Sequence, residues 1–86
     1  MIWGRFMALT DAIIKRIKEL MKQKNNMTQY QLCKASGLSQ STLSTILTKQ
    51  VKTIHFITLF DICFGLNIEL TDFFNCDYLK FENVER

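Results

Sequence analysis

Polar side chains without charge recur at helical spacing in the middle of the chain. On a helix they would share one face, and they are Gln40, Ser41, Ser44 and Thr45, with Thr48 continuing the same row. Hydroxyl and amide groups can both donate and accept hydrogen bonds. Such groups can bond the edges of base pairs, and a glutamine can bond adenine through two hydrogen bonds at once.

The residue types give little support to metal binding or catalysis. The single histidine, His55, has no ligand cluster near it, and Cys33, Cys63 and Cys76 form neither a CxxC pair nor a paired framework. The chain has no nucleophile–base pair, no paired carboxylates and no phosphate-binding glycine loop. We therefore expect no catalysis, metal or cofactor, and we expect reduced thiols in a cytoplasmic protein without a membrane span.

The length and the charge distribution further limit the class of protein to which the chain can belong. With 86 residues, the chain suits one domain with one modest core. Residues 15–52 carry eight basic residues and one acidic residue, whereas residues 53–86 carry two basic and six acidic residues. The net charges of +7 and −4 suit a polyanionic partner for the first part only. Lysine-rich helix faces that merely contact water would give the same pattern.

Helical periodicity fits almost the whole chain, and strand alternation fits almost none of it. Thr10 is expected to cap a first helix, with Asp11 in its first turn. This helix would bury one apolar stripe, formed by Ile13, Ile14, Ile17, Leu20 and Met21. The helix is expected to end in the segment KQKNN, where an asparagine can turn the chain.

Two short helices follow. Thr28 to Gln31 has the capping-box pattern T-x-x-Q, so a second helix should start at Gln29 and stop at Gly37. Ser39 is expected to cap a third helix from Gln40 to about Thr48.

Further helices are predicted in the second half of the chain. A fourth should run from about Phe56 to Leu66, bury Leu59, Ile62, Cys63 and Leu66, and stop at Asn67. A short fifth helix should start at Leu70. The domain boundaries expected from this pattern are an N-terminal extension over 1–9, a helical domain over 10–75 and a C-terminal tail over 76–86.

The three-residue turn Gly37–Leu38–Ser39 allows the second and third helices to pack at a steep angle. Such a unit needs a small residue at the helix contact, a glycine in the turn and apolar anchors on the third helix. Cys33, Gly37, Leu43 and Ile46 meet these needs, and Leu38 is the apolar plug. The polar row of the third helix would then face outward.

The combined pattern resembles the phage-repressor-like (Cro/cI-type, XRE) helix-turn-helix proteins. It spans Ile13 to Phe74 and joins the segment LFDICFGLNIELTDFF to Gln29, Leu32, Cys33, Gly37, Leu38, Ser39, Leu43, Ser44 and Ile46. The resemblance implies an all-α, five-helix, lambda-repressor-like domain. Members of this family place the third helix in the major groove of DNA, usually as a homodimer on a two-fold operator.

The resemblance also assigns roles to individual residues. Gln40, Ser41 and Thr45 match base-facing positions, Ser39 and Ser44 match positions that contact base or backbone, and Gln29 matches the residue that holds a phosphate. Lys34, Lys49 and Lys52 lie near the expected groove and are candidate backbone contacts. Each of these side chains could instead be plain solvated surface.

Some positions depart from the family pattern. Cys33 stands where alanine is usual, Lys49 where a glycine often ends the third helix, and Ile54 where proline is common. Leu47 replaces a frequent acidic residue, which removes a repulsion from phosphate. Cys33 is a conservative change, whereas Lys49 and Ile54 leave the shape of the loop before the fourth helix open.

Aromatic residues exceed what one core face requires. Phe56, Phe60 and Phe64 form an i, i+4, i+8 stripe on a helix whose other face already supplies the core. Together with Phe74, Tyr78 and Phe81 they predict a homodimer interface, to which the tail is a candidate contributor. The alternative is that the tail or the N-terminal segment IWGRF folds back over the stripe.

These observations predict a sequence-specific DNA-binding transcription regulator that occupies an operator and either excludes or recruits the polymerase, with a repressor as the expected role. Its expected partners are double-stranded DNA and a second copy of itself, with no membrane. No separate ligand domain is predicted, so we expect no small-molecule effector unless a small pocket holds one. The alternative is an antitoxin-like or antirepressor-like module that uses the same fold to bind another protein.

Overall fold

The computed structural model describes residues 7–85 and consists of five α-helices with a short C-terminal segment. The helices are α1 (Leu9–Gln23), α2 (Gln29–Ser36), α3 (Gln40–Leu47), α4 (Phe56–Leu66) and α5 (Leu70–Phe73). The predicted all-α, five-helix fold is thereby confirmed. Within residues 7–85, no helix is long and apolar enough to cross a membrane.

One continuous core joins the helices. The predicted apolar stripe of α1 is buried, as is the predicted inner face of α4, and α5 contributes Phe73, which is fully buried. The core residues of α2 and α3 are Leu32, Cys33, Leu43, Ile46 and Leu47. Because each short helix buries only two or three side chains, its position depends on the core it shares with α1 and α4.

The start of α1 differs from the prediction. Thr10 does not cap this helix; α1 begins two residues earlier than predicted, after Ala8, and Ala8 makes no side-chain cap. The Thr10 hydroxyl instead donates a hydrogen bond of 2.8 Å to the carbonyl oxygen of Lys52, in the loop before α4. The Thr10 hydroxyl is therefore bonded to a residue 42 positions away and does not cap α1.

The predicted boundaries of α2 are confirmed. The Thr28 side chain accepts a hydrogen bond from the Gln31 backbone N–H, and the Gln31 side chain accepts one from the Thr28 N–H, which completes the capping box. Gly37 ends the helix at φ +81°, and its N–H donates to the Cys33 carbonyl. A residue with a Cβ would be strained in this conformation.

The ends of α3 and α4 share one backbone arrangement. Lys49 follows α3 with φ +62°, and Asn67 follows α4 with φ +56°. After α3, the Lys49 N–H donates to the Ile46 carbonyl and the Gln50 N–H donates to the Thr45 carbonyl. This is the Schellman motif, which usually has glycine at the left-handed position. The loop that the missing glycine left open therefore begins with the turn that a glycine would make, with a lysine at the left-handed position.

Helices α2 and α4 approach closely at Gly65. A Cβ built at this position would lie 2.9 Å from the Cδ1 of Leu32 and from the Cβ of Ser36, and 3.0 Å from the Ser36 backbone nitrogen. Sequence reasoning placed the small residue of the helix contact at Cys33, which is indeed buried. Gly65 was not anticipated, because a glycine within an apolar helix does not reveal which neighbour requires it.

The two ends of the described chain meet beside α1. Strand β1 (Met7–Ala8) pairs in parallel with strand β2 (Val84–Glu85), with Met7 opposite Val84 and Ala8 opposite Glu85. Two short 3-10 helices, Asp77–Leu79 and Phe81–Asn83, lead into β2, and Leu79 and Val84 are buried. The segment that follows α5 is thus packed against α1 rather than against the stripe of α4.

Candidate nucleic-acid interface

Helices α2 and α3 form the helix-turn-helix unit that the sequence predicted. The turn consists of Gly37, Leu38 and Ser39, and Leu38 packs partly buried against the core. Ser39 caps α3, since its side chain accepts a hydrogen bond from the Thr42 N–H. Because Leu43, Ile46 and Leu47 are buried, the opposite face of α3 is turned outward.

The residues predicted to contact bases differ in exposure. Gln40 and Ser41 are exposed at the start of α3, whereas Ser44 and Thr45 are half-buried one turn later. The Thr45 hydroxyl donates to the Ser41 carbonyl at 2.8 Å. Its proton is therefore engaged within the helix, which leaves the oxygen as an acceptor and the methyl group as an apolar contact.

A hydrogen bond joins the starts of the two helices. The side-chain amide of Gln29, at the first position of α2, donates to the carbonyl oxygen of Gln40, at the first position of α3, over 3.4 Å. Gln29 is half-buried. The residue predicted to hold a phosphate therefore also ties α2 to the helix predicted to read bases.

Three further predicted backbone contacts have neighbours within the protein. The Ser39 hydroxyl donates to the Thr42 hydroxyl at 2.9 Å, in addition to its capping role. The Lys34 ammonium lies 5.5 Å from the ring centroid of Tyr30, one turn earlier on α2. Lys52 is exposed, and its carbonyl oxygen accepts the hydrogen bond from Thr10.

Arg16 does not contribute to an outward basic surface, although it belongs to the basic part of the sequence. Its Nε donates to the Phe73 carbonyl at 2.7 Å, and its Nη2 donates to the Asp72 carbonyl at 2.8 Å. These carbonyls lie at the end of α5, where a cation is favourable. Arg16 therefore holds α5 against α1. The sequence held no local signal for this, since the partners lie more than 50 residues away.

The aromatic stripe of α4 is exposed. Phe56 is 67% exposed, Phe60 49% and Phe64 72%. Ile57, which sequence reasoning missed, adjoins the stripe and is 74% exposed. No described residue of the C-terminal segment covers the stripe. The N-terminal segment IWGRF, residues 2–6, lies outside the described residues.

The other aromatic residues predicted at a subunit interface lie in different surroundings. Phe74 is partly exposed and packs edge-on against Phe73, with ring centroids 5.1 Å apart. Phe81 is 86% exposed. Tyr78 is half-buried, and its hydroxyl donates to the carboxylate of Glu19 on α1. Burial and this carboxylate together raise the pKa of the Tyr78 hydroxyl above its usual value, so it stays a donor.

The cysteines show no arrangement for metal binding or nucleophilic chemistry. Cys33 and Cys63 are buried, Cys76 is half-buried, and all three are free thiols. Burial raises the pKa of the Cys63 thiol to about 11, which opposes formation of the reactive thiolate. Among residues 7–85, no group of three or more His, Cys, Asp or Glu side chains could hold a metal ion.

Comparison with known families agrees with this geometry. The family described as the Cro/C1-type HTH DNA-binding domain matches residues 16–78, which is well over half of the chain. The capped helices, the glycine turn and the outward polar face of α3 define a helix-turn-helix DNA-binding domain. The chain belongs to the Cro/C1-type helix-turn-helix family. Neither a comparison with curated proteins nor one with solved structures found a match.

Proposed function

We propose that this DNA-binding protein is a sequence-specific transcription repressor that binds its operator as a homodimer, with α3 in the major groove. Gln40 and Ser41 would bond base edges, and Ser44 and Thr45 would complete the readout. Gln29, Lys34, Ser39, Lys49 and Lys52 would contact the phosphate backbone. Occupation of the operator would exclude the polymerase, without enzymatic activity or a cofactor.

The observation that carries this proposal is the outer face of α3. Its side chains are uncharged and polar, and the two at the start of the helix are exposed while three apolar residues anchor the opposite face. Uncharged donors and acceptors of this kind can bond base edges, and a glutamine can hold adenine through two hydrogen bonds. Lys49 and Lys52 follow α3 in the chain, and Lys34 lies on α2.

The homodimer is supported by the aromatic stripe of α4. Beside the stripe lies a groove of about 420 Å³, lined in part by Phe60, Phe64, Ile68 and Leu70. Exposed aromatic side chains next to such a groove are typical of protein interfaces. A second copy is the occupant we favour, because a two-fold arrangement would present two copies of α3 to successive major grooves.

The stripe also supports a second candidate, in which an unrelated protein binds it. This would make the chain an antitoxin-like or antirepressor-like module whose fold serves a protein partner. The two candidates differ in what the protein binds when purified. Retention of an unrelated protein by the isolated chain, together with no preference among DNA sequences, would favour the second candidate.

Selection of bound duplexes from a random pool tests the proposed function directly. We expect one sequence with two-fold symmetry to be enriched, and its affinity to fall steeply with salt, by a log–log slope of roughly −0.9 per phosphate contact. A salt-independent affinity would rule out DNA as the partner.

Substitution of Gln40 tests the base readout. Gln40→Ala should weaken binding to the selected sequence by about 1–3 kcal/mol, because a bidentate base contact is lost, and it should leave non-specific binding nearly unchanged. Asn75→Ala is the matched control, since Asn75 is also exposed and also carries a side-chain amide but follows α5. Titration of both variants with selected and unrelated duplexes would measure this. Equal losses on both duplexes would assign Gln40 to the backbone.

A further inference from the structure

Two lysines of α1 lie between separate parts of the proposed DNA interface. A surface groove of about 370 Å³ runs between α1 and the end of α3, where Lys18, Lys22 and Lys49 line it. Another groove, of about 420 Å³, is lined by Lys18 and Lys22 together with Gln29 at the start of α2. Lys18 and Lys22 line both grooves, so they form a ridge that separates Lys49 from Gln29. We call this pair the lysine ridge.

The charges around the lysine ridge leave it available to an anion. Both lysines are exposed on α1. The carboxylate of Glu19, which lies between them in sequence, accepts the hydrogen bond from Tyr78. The ammonium group of Lys15 lies 4.5 Å from the ring centroid of the same tyrosine. Glu19 and Lys15 also line the first groove, and both contact Tyr78 of the tail. That groove therefore has four lysines, Lys15, Lys18, Lys22 and Lys49, against one carboxylate.

We propose that the lysine ridge contacts the DNA phosphate backbone and extends the interface from the α2–α3 unit onto α1. This inference rests on the proposed function, because the ridge adjoins Lys49 and Gln29, which that function assigns to phosphates. Lysine binds phosphate as a point charge and reads no base edge. The ridge therefore adds affinity for duplex DNA and leaves the preferred sequence unchanged.

Salt titration of single variants tests the ridge in the full chain. Lys18→Gln and Lys22→Gln should each make the log–log salt slope shallower by roughly 0.9 on the selected duplex, because each removes one phosphate contact. A fourfold rise in salt would then weaken each variant about 3.5-fold less than it weakens the unsubstituted protein. The sequence enriched from a random pool should stay the same.

Lys80→Gln provides the matched control. Lys80 is exposed between the two 3-10 helices, away from both grooves, and its substitution removes the same charge. Its salt slope should equal that of the unsubstituted protein. If the salt slope of Lys80→Gln shifted as much as that of the ridge variants, the effect would come from net charge alone. That result would overturn the assignment to the ridge.

The outcomes separate this inference from the proposed function. If the unsubstituted protein binds DNA with a steep salt dependence and both ridge variants keep the same slope, the ridge assignment is wrong and the function stands. If the unsubstituted protein binds no duplex, both fail. A ridge variant that binds with an altered sequence preference would also contradict a contact to phosphate alone.

Discussion

Lys49 combines a backbone role and a proposed binding role at one position. Its left-handed conformation completes the Schellman motif at the end of α3, where glycine would be free of strain. A residue with a Cβ pays roughly 1–2 kcal/mol for this conformation. The lysine side chain lies in the groove beside the lysine ridge. A strained residue retained beside a proposed interface suggests that its side chain serves binding rather than stability.

Replacement of Lys49 by glycine separates the two roles. Lys49→Gly should raise the free energy of unfolding by about 0.5–1 kcal/mol, because relief of strain exceeds the added entropy of the unfolded chain. The same change should make the salt slope of DNA binding shallower by roughly 0.9. Chemical denaturation and salt titration measure the two effects independently.

Asn67→Gly is the matched control for this experiment. Asn67 occupies the equivalent left-handed position after α4, at φ +56°, and lines the groove beside the aromatic stripe rather than the two grooves of the lysine ridge. Asparagine tolerates this conformation better than lysine, so the gain in stability should be smaller. The salt slope of DNA binding should not change, because this substitution removes no charge. A Lys49→Gly protein that binds DNA with the original salt slope would show that the lysine contacts no phosphate.

At the scale of the elements, the contact between α2 and α4 sets the position of the helix-turn-helix unit. Gly65 brings the α4 backbone against Leu32 and Ser36 of α2. The Thr10–Lys52 hydrogen bond ties α1 to the loop before α4, and Arg16 ties α1 to α5. Contacts with α1 and α4 therefore hold the surface that we propose to bind DNA.

Gly65→Ala tests the close approach of α2 and α4. Within a helix, alanine is favoured over glycine by about 1 kcal/mol, so an open site would gain stability. Here the new Cβ would lie 3.0 Å or less from three α2 atoms, one of them a backbone nitrogen that cannot move aside alone. Overpacking costs about 1–3 kcal/mol, so we expect a net loss of up to about 2 kcal/mol. Thermal and urea unfolding measure it. A more stable variant would contradict the close contact.

At the scale of the whole molecule, polar and apolar surfaces are segregated. The outer face of α3 and the nearby lysines form one surface, and the aromatic stripe of α4 forms another. The stripe is not required by the core, because α4 buries Leu59, Ile62, Cys63 and Leu66 on its other face. A helix that is apolar on two faces needs a second partner, and none of the described residues supplies one.

The double variant Phe60→Gln and Phe64→Gln tests the homodimer. It should yield a folded monomer, because the residues that α4 buries in the core are unchanged. Affinity for a palindromic site should fall at least tenfold, since the second half-site would no longer be tethered at high effective concentration. Sedimentation measures the mass, circular dichroism the helix content, and titration the affinity.

Phe81→Gln serves as the comparison, because Phe81 is exposed in the C-terminal segment and away from α4. A dimer that survives the double substitution but not Phe81→Gln would move the interface to that segment. An unfolded double variant would show that the stripe belongs to the core and would leave the homodimer without support.

The sequence alone determined the features that depend on neighbours within one or two helical turns. The capping box of Thr28, the turn at Gly37 and the stop at Asn67 all follow from side-chain size and hydrogen bonds between nearby residues. The buried faces of α1 and α4 follow from periodicity, because an apolar stripe is buried whichever element it packs against. These signals were sufficient for the fold class and for the outward face of α3.

Only the tertiary structure decided which distant groups meet. The Thr10 hydroxyl bonds the Lys52 carbonyl instead of capping α1, and the Arg16 guanidinium bonds carbonyls of α5 instead of facing outward. The pairing of β1 with β2 and the contact of Tyr78 with Glu19 likewise join residues more than 50 positions apart. Such choices depend on how the helices pack in space, because several partners compete for one donor and the sequence does not record their distances.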